Sequence, residues 1–314
     1  MTTKKTHIKG RQPLPWHLLM PKYWYLWLGI FTLSLMSYLP ARLRDPLGRR
    51  IGTLIFNKNQ KRRTIAYQNL ALCYPQYDEH TLLELTQQHF QHFYSALLTL
   101  PRYWWARPES LKKQTAMIGY EHITEAQQAG KGIILMGCHT ATLEVGGLML
   151  SMDHPSLAYY HEFKNPLLEW WMIRCRTRFG GRVISRKHNL SDTVRQVRKG
   201  ALLNYLGDED LGSDNATFAA FMGVTKATQT GLTKLARLCR ADVIPCFNYY
   251  DVQRKKHISL ILPPLQNFPS GDDATDALTI NDCLAKMIQH APTQYMWTMK
   301  LFKTQPDSQK SVYR

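Results

Sequence analysis

The centre of the chain reads Gly132-Ile-Ile-Leu-Met-Gly-Cys-His139-Thr-Ala-Thr-Leu-Glu144. A short apolar run bounded by two glycines predicts a buried strand over residues 132–137. The residues from Thr140 to Met152 are typical of a helix that begins with small side chains. We therefore expect a strand, a corner and a helix, with His139 at the corner.

His139 and Glu144 are candidates for a general base and its orienting carboxylate. A neutral imidazole can remove a proton from an alcohol near pH 7, and a carboxylate can fix its tautomer and stabilise the imidazolium. Positions five apart on a regular helix lie about 140° apart, so the two can meet only if His139 precedes the helix and Glu144 reaches back from its first turns. The spacing alone fits a structural histidine beside an exposed glutamate equally well.

Predicted strands and helices alternate from Gly119 onwards. The predicted strands cover residues 132–137, 157–160, 182–185, 201–206, 243–250 and 257–262. The predicted helices cover residues 121–129, 140–152, 166–179, 190–199, 228–240 and 273–290, and Asp78 predicts the cap of an earlier helix that runs to about Leu98. The alternation indicates an α/β fold with a mostly parallel central sheet flanked by helices, in which active residues gather beyond the carboxyl ends of the strands. The residues from Pro101 to Pro108, rich in aromatics, predict a break that belongs either to the core or to a membrane-facing ledge.

The 314-residue chain has a formal net charge of +17, which is concentrated near its N-terminus. Residues 1–63 hold 13 Lys and Arg against a single acidic residue, Asp45. Within them, the 19 residues between Lys22 and Arg42 carry no charge and begin with a Tyr/Trp cluster, which predicts a retained membrane anchor. An interfacial helix and a cleaved signal peptide remain alternatives. We divide the chain into a basic N-terminus with an anchor helix at 1–44 and a catalytic domain at 45–314. The basic cluster at residues 58–63 favours a catalytic domain on the cytoplasmic side of the membrane.

Several other chemistries lack their usual motifs. The six cysteines include no CxxC pair, which favours a reducing compartment over a zinc ribbon or a redox centre. His89 and His92 lack a further ligand motif, G-x-S-x-G is absent, and the glycines around Lys131 precede a predicted strand instead of following it. Cys138 neighbours His139 but should point to the opposite face of the strand. We expect no metal and no bound cofactor.

Motifs along the chain resemble those of the late acyltransferases of lipid A biosynthesis, the lauroyl and myristoyl acyltransferases of Gram-negative bacteria. The segments that carry the resemblance are Pro21-Lys-Tyr-Trp24, Asn69-Leu-Ala-Leu-Cys-Tyr-Pro75, Gly119-Tyr-Glu-His122, His139-x4-Glu144, Asn165-Pro-Leu167, Gly207-Asp-Glu-Asp-Leu-Gly212, Ala291-Pro-Thr-Gln-Tyr-Met-Trp297 and Phe302-Lys-Thr304. They occur in register from about residue 21 to residue 306. The chain departs from the family at His161, Lys164, Glu209, Leu211 and Thr298-Met299, which affects substrate detail and not the reaction class.

The resemblance implies an enzyme of the inner membrane with its active site on the cytoplasmic side. Such an enzyme transfers a fatty acyl group from acyl carrier protein, its co-substrate, to a hydroxyl of a Kdo-lipid IVA type lipid A precursor in lipopolysaccharide or lipooligosaccharide biosynthesis. It implies His139 as general base and Glu144 as its orienting partner.

Five further residues are candidates for substrate binding. By analogy with the wider glycerolipid acyltransferases, Arg186 could bind a phosphate of the acceptor, and Lys187 and His161 are further candidates of the same kind. Asp208 and Asp210 follow a predicted strand and could shape the site by hydrogen bonding to basic neighbours. A solvated surface arginine and a purely structural acidic turn are the corresponding alternatives.

Two rival functions remain open at this point. One is an acyltransferase that acts on another membrane lipid hydroxyl. The other is a non-enzymatic basic membrane protein that binds anionic lipid. Nucleic-acid binding is disfavoured, because most of the excess positive charge lies beside the predicted anchor and is not spread across a folded face.

Overall fold

The computed structural model describes residues 8–185, 190–306 and 312–313. Ten strands lie within these residues: β1 (Ile8–Lys9), β2 (Thr115–Ile118), β3 (Gly132–Gly137), β4 (Ser156–Tyr160), β5 (Arg182–Ser185), β6 (Leu202–Leu206), β7 (Ala216–Phe221), β8 (Val224–Gln229), β9 (Ala241–Asp251) and β10 (Lys256–Ile261).

Eleven α-helices lie in the same described residues. They are α1 (Trp24–Met36), α2 (Ala41–Lys58), α3 (Gln60–Cys73), α4 (Glu79–Trp105), α5 (Pro108–Lys112), α6 (Glu121–Gln128), α7 (Leu143–Asp153), α8 (Pro166–Arg176), α9 (Leu190–Arg198), α10 (Gly231–Cys239) and α11 (Asp273–Ile288). The predicted cap is present: the Asp78 side chain accepts the Thr81 amide at the start of α4.

Eight strands form one sheet in the order β1-β5-β4-β6-β3-β9-β10-β2. The pairs β5/β4, β4/β6, β6/β3, β3/β9 and β10/β2 are parallel, while β1/β5 and β9/β10 are antiparallel. All six residues of β3 are buried. The prediction of an α/β fold with a mostly parallel sheet is thus confirmed.

The parallel register aligns the ends of the central strands. Gly137 of β3 lies beside Leu206 of β6, so the loops that follow these two strands leave the sheet side by side. The carboxyl edge of a parallel sheet is where such folds gather functional side chains.

The N-terminal segment differs from the prediction of a membrane-spanning anchor. α1 has 13 residues and is followed by a break at Ser37–Pro40 before α2 begins. At about 1.5 Å per residue it is about 20 Å long, shorter than the roughly 30 Å hydrocarbon core of a bilayer. In the described part of the chain, no helix combines the length and the apolar composition that a membrane span requires. α2 runs across residue 44, so the proposed division at 44/45 falls inside a helix and remains a prediction.

Two further elements differ from the expected pattern. α4 continues through Pro101 to Trp105, so no break separates Leu98 from the aromatic cluster. β7 and β8 form a separate two-stranded antiparallel hairpin between β6 and α10 that the sequence reading missed. Its turn places Met222 and Gly223 at positive φ, and Met is an unusual residue for such a turn.

Candidate active site

His139 lies at the corner between β3 and α7. β3 ends at Gly137 and α7 begins at Leu143, so the histidine precedes the helix as predicted, although the helix begins three residues later than expected. The corner is held from outside: the Met296 amide donates to the His139 carbonyl, and the Ala141 amide donates to the Gln294 carbonyl. His139 therefore lies on a loop that is held by β3 on one side and by residues 294–296 on the other.

The imidazole is paired with Asp208, which follows β6. His139 Nδ1 lies 2.8 Å from Asp208 Oδ1, and the His139 backbone N–H donates to Asp208 Oδ2 over 2.8 Å. Asp208 is fully buried, and burial alone would raise the pKa of its carboxyl group. The charge and hydrogen bonds of His139, aided by Lys226, outweigh that effect and hold the Asp208 pKa below its ordinary value. An ionised Asp208 fixes the proton of the neutral ring on Nδ1 and leaves the lone pair on Nε2.

Glu144, the predicted orienting carboxylate, does not contact Nδ1 of His139, which pairs with Asp208. It lies in the first turn of α7, and its carboxylate accepts two hydrogen bonds from Arg176 at the end of α8, one of them from Nε over 3.0 Å and the other from an Nη group. Burial lowers the pKa of Arg176, but the charge of Glu144 outweighs it and the pKa is raised. The role of Glu144 as orienting partner stays a prediction, and the residue that pairs with Nδ1 of His139 is Asp208 instead of Glu144. The reason is that β6, and not the first turn of α7, lies directly beside β3.

Lys226 is a charged residue near this pair that the sequence reading missed. It lies on β8, is fully buried, and its Nζ has no hydrogen-bond partner among the described residues. Burial lowers its pKa, while the charges of Asp208 and Asp210 oppose that shift. Its positive charge thus helps to keep Asp208 ionised. Its position near Asp208 follows from the hairpin of β7 and β8, which was not predicted from the sequence.

Asp210 has a structural role. Its side chain accepts hydrogen bonds from the Thr304 amide and hydroxyl, both over 2.7 Å, and from the Gly212 amide over 3.1 Å. It therefore ties the loop after β6 to the C-terminal segment. The two carboxylates that were predicted to shape the site thus have different partners: Asp208 contacts the imidazole, and Asp210 contacts Thr304 and Gly212.

A cavity of about 340 Å³ opens beside the imidazole, between α7 and the sheet. His139, Glu144 and Arg176 line it together with His161 and Arg182, and much of the remaining lining is apolar. The structure thus brings His161 to the same cavity as the His139/Asp208 pair. Arg186 and Lys187 lie outside the described residues, directly after the end of β5, and their role stays a prediction.

The residues considered for other chemistries have structural partners. His89 and His92 both contact Thr293, at 3.2 Å and 2.8 Å, and the described residues contain no cluster of three or more His, Cys, Asp or Glu side chains that could hold a metal. Cys138 is buried, and burial together with the charge of Asp208 raises the pKa of its thiol well above the ordinary value. A thiol in this state is a poor nucleophile.

Comparison with known proteins shows similarity over almost the whole chain. Residues 11–304 match the family model described as bacterial lipid A biosynthesis acyltransferase. A lipid A biosynthesis acyltransferase of Haemophilus influenzae is 35% identical over 94% of this chain and 92% of its own length. The lipid A biosynthesis lauroyltransferase of Escherichia coli is 32% identical, covering 94% and 97%, and the myristoyltransferase of the same organism is 28% identical, covering 100% and 99%.

Proposed function

Because the chain belongs to the bacterial lipid A biosynthesis acyltransferase family and is an acyltransferase, we propose that it transfers a fatty acyl group from acyl carrier protein to a hydroxyl of a lipid A precursor. The observation that carries this proposal is the hydrogen bond between His139 Nδ1 and Asp208 at the mouth of a largely apolar cavity. It supplies a base of defined tautomer beside space for an alkyl chain.

In the proposed reaction His139 acts as general base. Its Nε2 takes the proton of the acceptor hydroxyl while the oxygen attacks the thioester carbonyl carbon. The tetrahedral intermediate then collapses, the carbon–sulfur bond breaks, and the imidazolium returns the proton to the departing thiolate. Asp208 stabilises the imidazolium by hydrogen bond and charge. Because the acceptor oxygen attacks the thioester directly, no acyl-enzyme forms.

Glu144 serves the site through Arg176 in this proposal. The paired hydrogen bonds hold the guanidinium at the cavity beside His139, where it can bind an anionic group of the acceptor or the developing oxyanion. The amides of Ala141 and Leu143 already donate to the carbonyls of Gln294 and Thr140, so they are not the oxyanion donors. The acidic position of the motif thus has a role that does not require contact with the ring nitrogen Nδ1.

The anionic parts of both substrates fit the charge of the protein. Arg176, Arg182 and His161 line the cavity, so phosphates and acidic sugars of the acceptor would meet basic side chains there, and Arg186 and Lys187 remain candidates outside the described residues. The net charge of +17 likewise suits an acidic carrier protein as acyl donor. We assign no cofactor and no metal to the reaction.

The N-terminal segment supports a site of action at a membrane surface. Ile30 of α1 packs with Leu167 and Trp170 of α8, so one side of α1 is covered by the domain. Large apolar side chains are exposed on its outer side, in the preceding segment and in the break that follows it: Trp16, Leu19, Met20, Trp24, Tyr25, Leu28, Phe31, Leu35 and Tyr38. Together with the basic residues of the first 63, this surface suits an anionic bilayer interface. We place the protein at the cytoplasmic face of the bacterial inner membrane.

One assay tests the proposed function. The purified protein is mixed with acyl-acyl carrier protein and a tetraacylated lipid A precursor in detergent micelles, and the products are analysed by mass spectrometry. We expect a new lipid whose mass exceeds that of the acceptor by one acyl group, and no product from His139→Ala protein. Transfer to a simple glycerophospholipid hydroxyl but not to the lipid A precursor would instead support an acyltransferase of another membrane lipid.

A further inference from the structure

The cavity beside His139 has a direction that the strand register defines. Gly137 and Leu206 line it at the carboxyl edge of the sheet, next to the proposed base. One step inward, Leu135 lies beside Asn204, which in turn lies beside Ala158. Ser156, two residues earlier on β4, lies deeper still. The lining residues therefore lie at increasing distance from His139 in the order Leu206, Asn204 and Ser156.

The residues of α7, the helix that covers the cavity, also lie at increasing distance from His139. Glu144, Gly147 and Ser151 recur at spacings of three and four residues, so they share one face of α7, and all three line the cavity. At about 1.5 Å per residue, Ser151 lies about 10 Å along the helix from Glu144. The cavity thus runs along α7, away from His139.

The deep end is closed by polar side chains that are bonded to one another. Ser151 Oγ donates to the Gly147 carbonyl over 2.8 Å and lies 3.3 Å from Ser156 Oγ, which accepts from Asn204 Nδ2 over 2.9 Å. Ser151 and Ser156 are buried. An alkyl chain gains nothing by displacing such bonds, because the freed polar groups would stay buried without partners.

Gly147 leaves space at the middle of the cavity. A Cβ built there meets no atom within 4 Å, and its φ is not positive, so a side chain would enter the cavity without backbone strain. The adjacent Gly146 differs, because a Cβ there would lie 2.0 Å from Asn248 Cγ. At Gly181, near the deep end, a Cβ would lie 3.0 Å from Ser151 Oγ. Among these three glycines, only Gly147 keeps open a volume that a larger residue could fill.

We propose that Gly147 and the Ser151/Ser156/Asn204 cluster set the length of the acyl chain that the enzyme transfers. The donor chain lies between α7 and the sheet, passes Gly147 and ends with its terminal methyl group at the polar cluster. This inference rests on the proposed function. Sequence similarity does not indicate which acyl chain this enzyme prefers, since relatives named as lauroyl-, palmitoleoyl- and myristoyltransferases match this chain about equally well. The lining of the cavity offers a structural basis for that preference.

The test measures kcat/KM for a series of acyl-acyl carrier proteins whose saturated chains differ by two carbons. Gly147→Leu should favour shorter donors over the wild-type optimum by about tenfold or more, because one methylene in a tight pocket changes discrimination by about 10- to 200-fold. Gly147→Ala should shift the preference in the same direction by less. It should also fold well, since alanine replaces glycine within a helix. Equal loss of kcat/KM for all donors in both variants would overturn the proposal.

Variants at the deep end should act in the opposite direction. Ser156→Ala and Asn204→Ala remove polar groups from the cluster, so we expect the optimum to move to longer chains. Ser213→Ala, on an exposed turn, is the matched control and should keep the wild-type profile. A wild-type enzyme that transfers no acyl group from any donor would refute the proposed function. An active enzyme with an unchanged chain profile in the Gly147 and deep-end variants would refute only this inference.

Discussion

At the scale of single residues, the site depends on one buried carboxylate. Asp208 accepts from both the backbone and the ring of His139, so it fixes the corner and the tautomer at once. His139 was predictable, because a glycine-bounded apolar strand followed by a helix start identifies a corner in the sequence. Asp208 as its partner was not, because the two residues are 69 positions apart and meet only through the pairing of β3 with β6.

Asp208→Asn should lower kcat/KM for acyl transfer by about 100-fold or more while the protein remains folded. The asparagine can still accept the His139 amide, but its NH2 group then faces Nδ1 and favours the wrong tautomer, which removes most of the general-base contribution of about 100- to 10,000-fold. Steady-state kinetics with acyl-acyl carrier protein provide the measurement. Asp242→Asn, which alters an ion pair with Lys131 at the start of β9, is the matched control. Near-native kcat/KM for Asp208→Asn would show that the ring does not need this carboxylate.

At the scale of secondary-structure elements, local patterns predicted the regular strands and helices, and tertiary contacts decided the rest. The helices 166–179, 190–199 and 273–290 were predicted within a few residues, and side-chain caps at Asn165 and Asp272 begin the first and the last of them. The hairpin of β7 and β8 was missed because its turn lacks the usual Asn-Gly signal, and with it the position of Lys226. The uncharged run after Lys22 predicted one long helix, but the chain breaks at Ser37–Pro40.

α1 provides a prediction about membrane binding. Trp24, Leu28, Phe31 and Leu35 recur at spacings of three and four residues and are all exposed, so they share the outer face of the helix. The double variant Leu28→Ser/Phe31→Ser should reduce partitioning onto anionic phospholipid vesicles at least about tenfold, since a buried side chain of this kind contributes about 1.5–3 kcal/mol. Vesicle co-sedimentation gives the partition coefficient.

The control for this experiment is Leu278→Ser, which changes an exposed leucine on α11. It should bind vesicles as the wild type does. Equal binding by the α1 variant and the wild type would contradict the assignment of this face to the bilayer.

At the scale of the whole molecule, the core contains buried histidines whose ionisation opposes folding. Burial lowers the pKa of His89 to about 4, although the Thr293 carbonyl partly opposes the shift. Burial also lowers the pKa of His257, which lies between Tyr103 and Tyr250, to about 3. The unfolded chain binds protons on these groups below about pH 6.5 and the folded protein does not, so the free energy of unfolding must fall as the pH is lowered.

Thermal or urea unfolding between pH 7.5 and 4.5 should reveal this loss. Each histidine contributes a slope on the order of 1 kcal/mol per pH unit below its unfolded pKa of about 6.5. His89→Asn keeps a donor near the position of Nδ1 but cannot be protonated, so the pH dependence should become shallower. His80→Asn, at an exposed position on α4, should leave the slope as it is. A pH slope unchanged by His89→Asn would exclude His89 as a source of acid sensitivity.

The closure of the active-site corner by residues 294–304 has a consequence for biosynthesis. The carbonyl of His139 is bonded to Met296, the neighbouring Ala141 to Gln294, and the loop after β6 to Thr304. During translation, the histidine emerges from the ribosome more than 150 residues before these partners do. At about 5–20 residues per second, a nascent chain contains His139 and Asp208 for several seconds before residues 294–304 can hold them in position. The corner around His139 is therefore locked only after residues 294–304 have been made, long after synthesis of the N-terminal segment that we propose to bind the membrane surface.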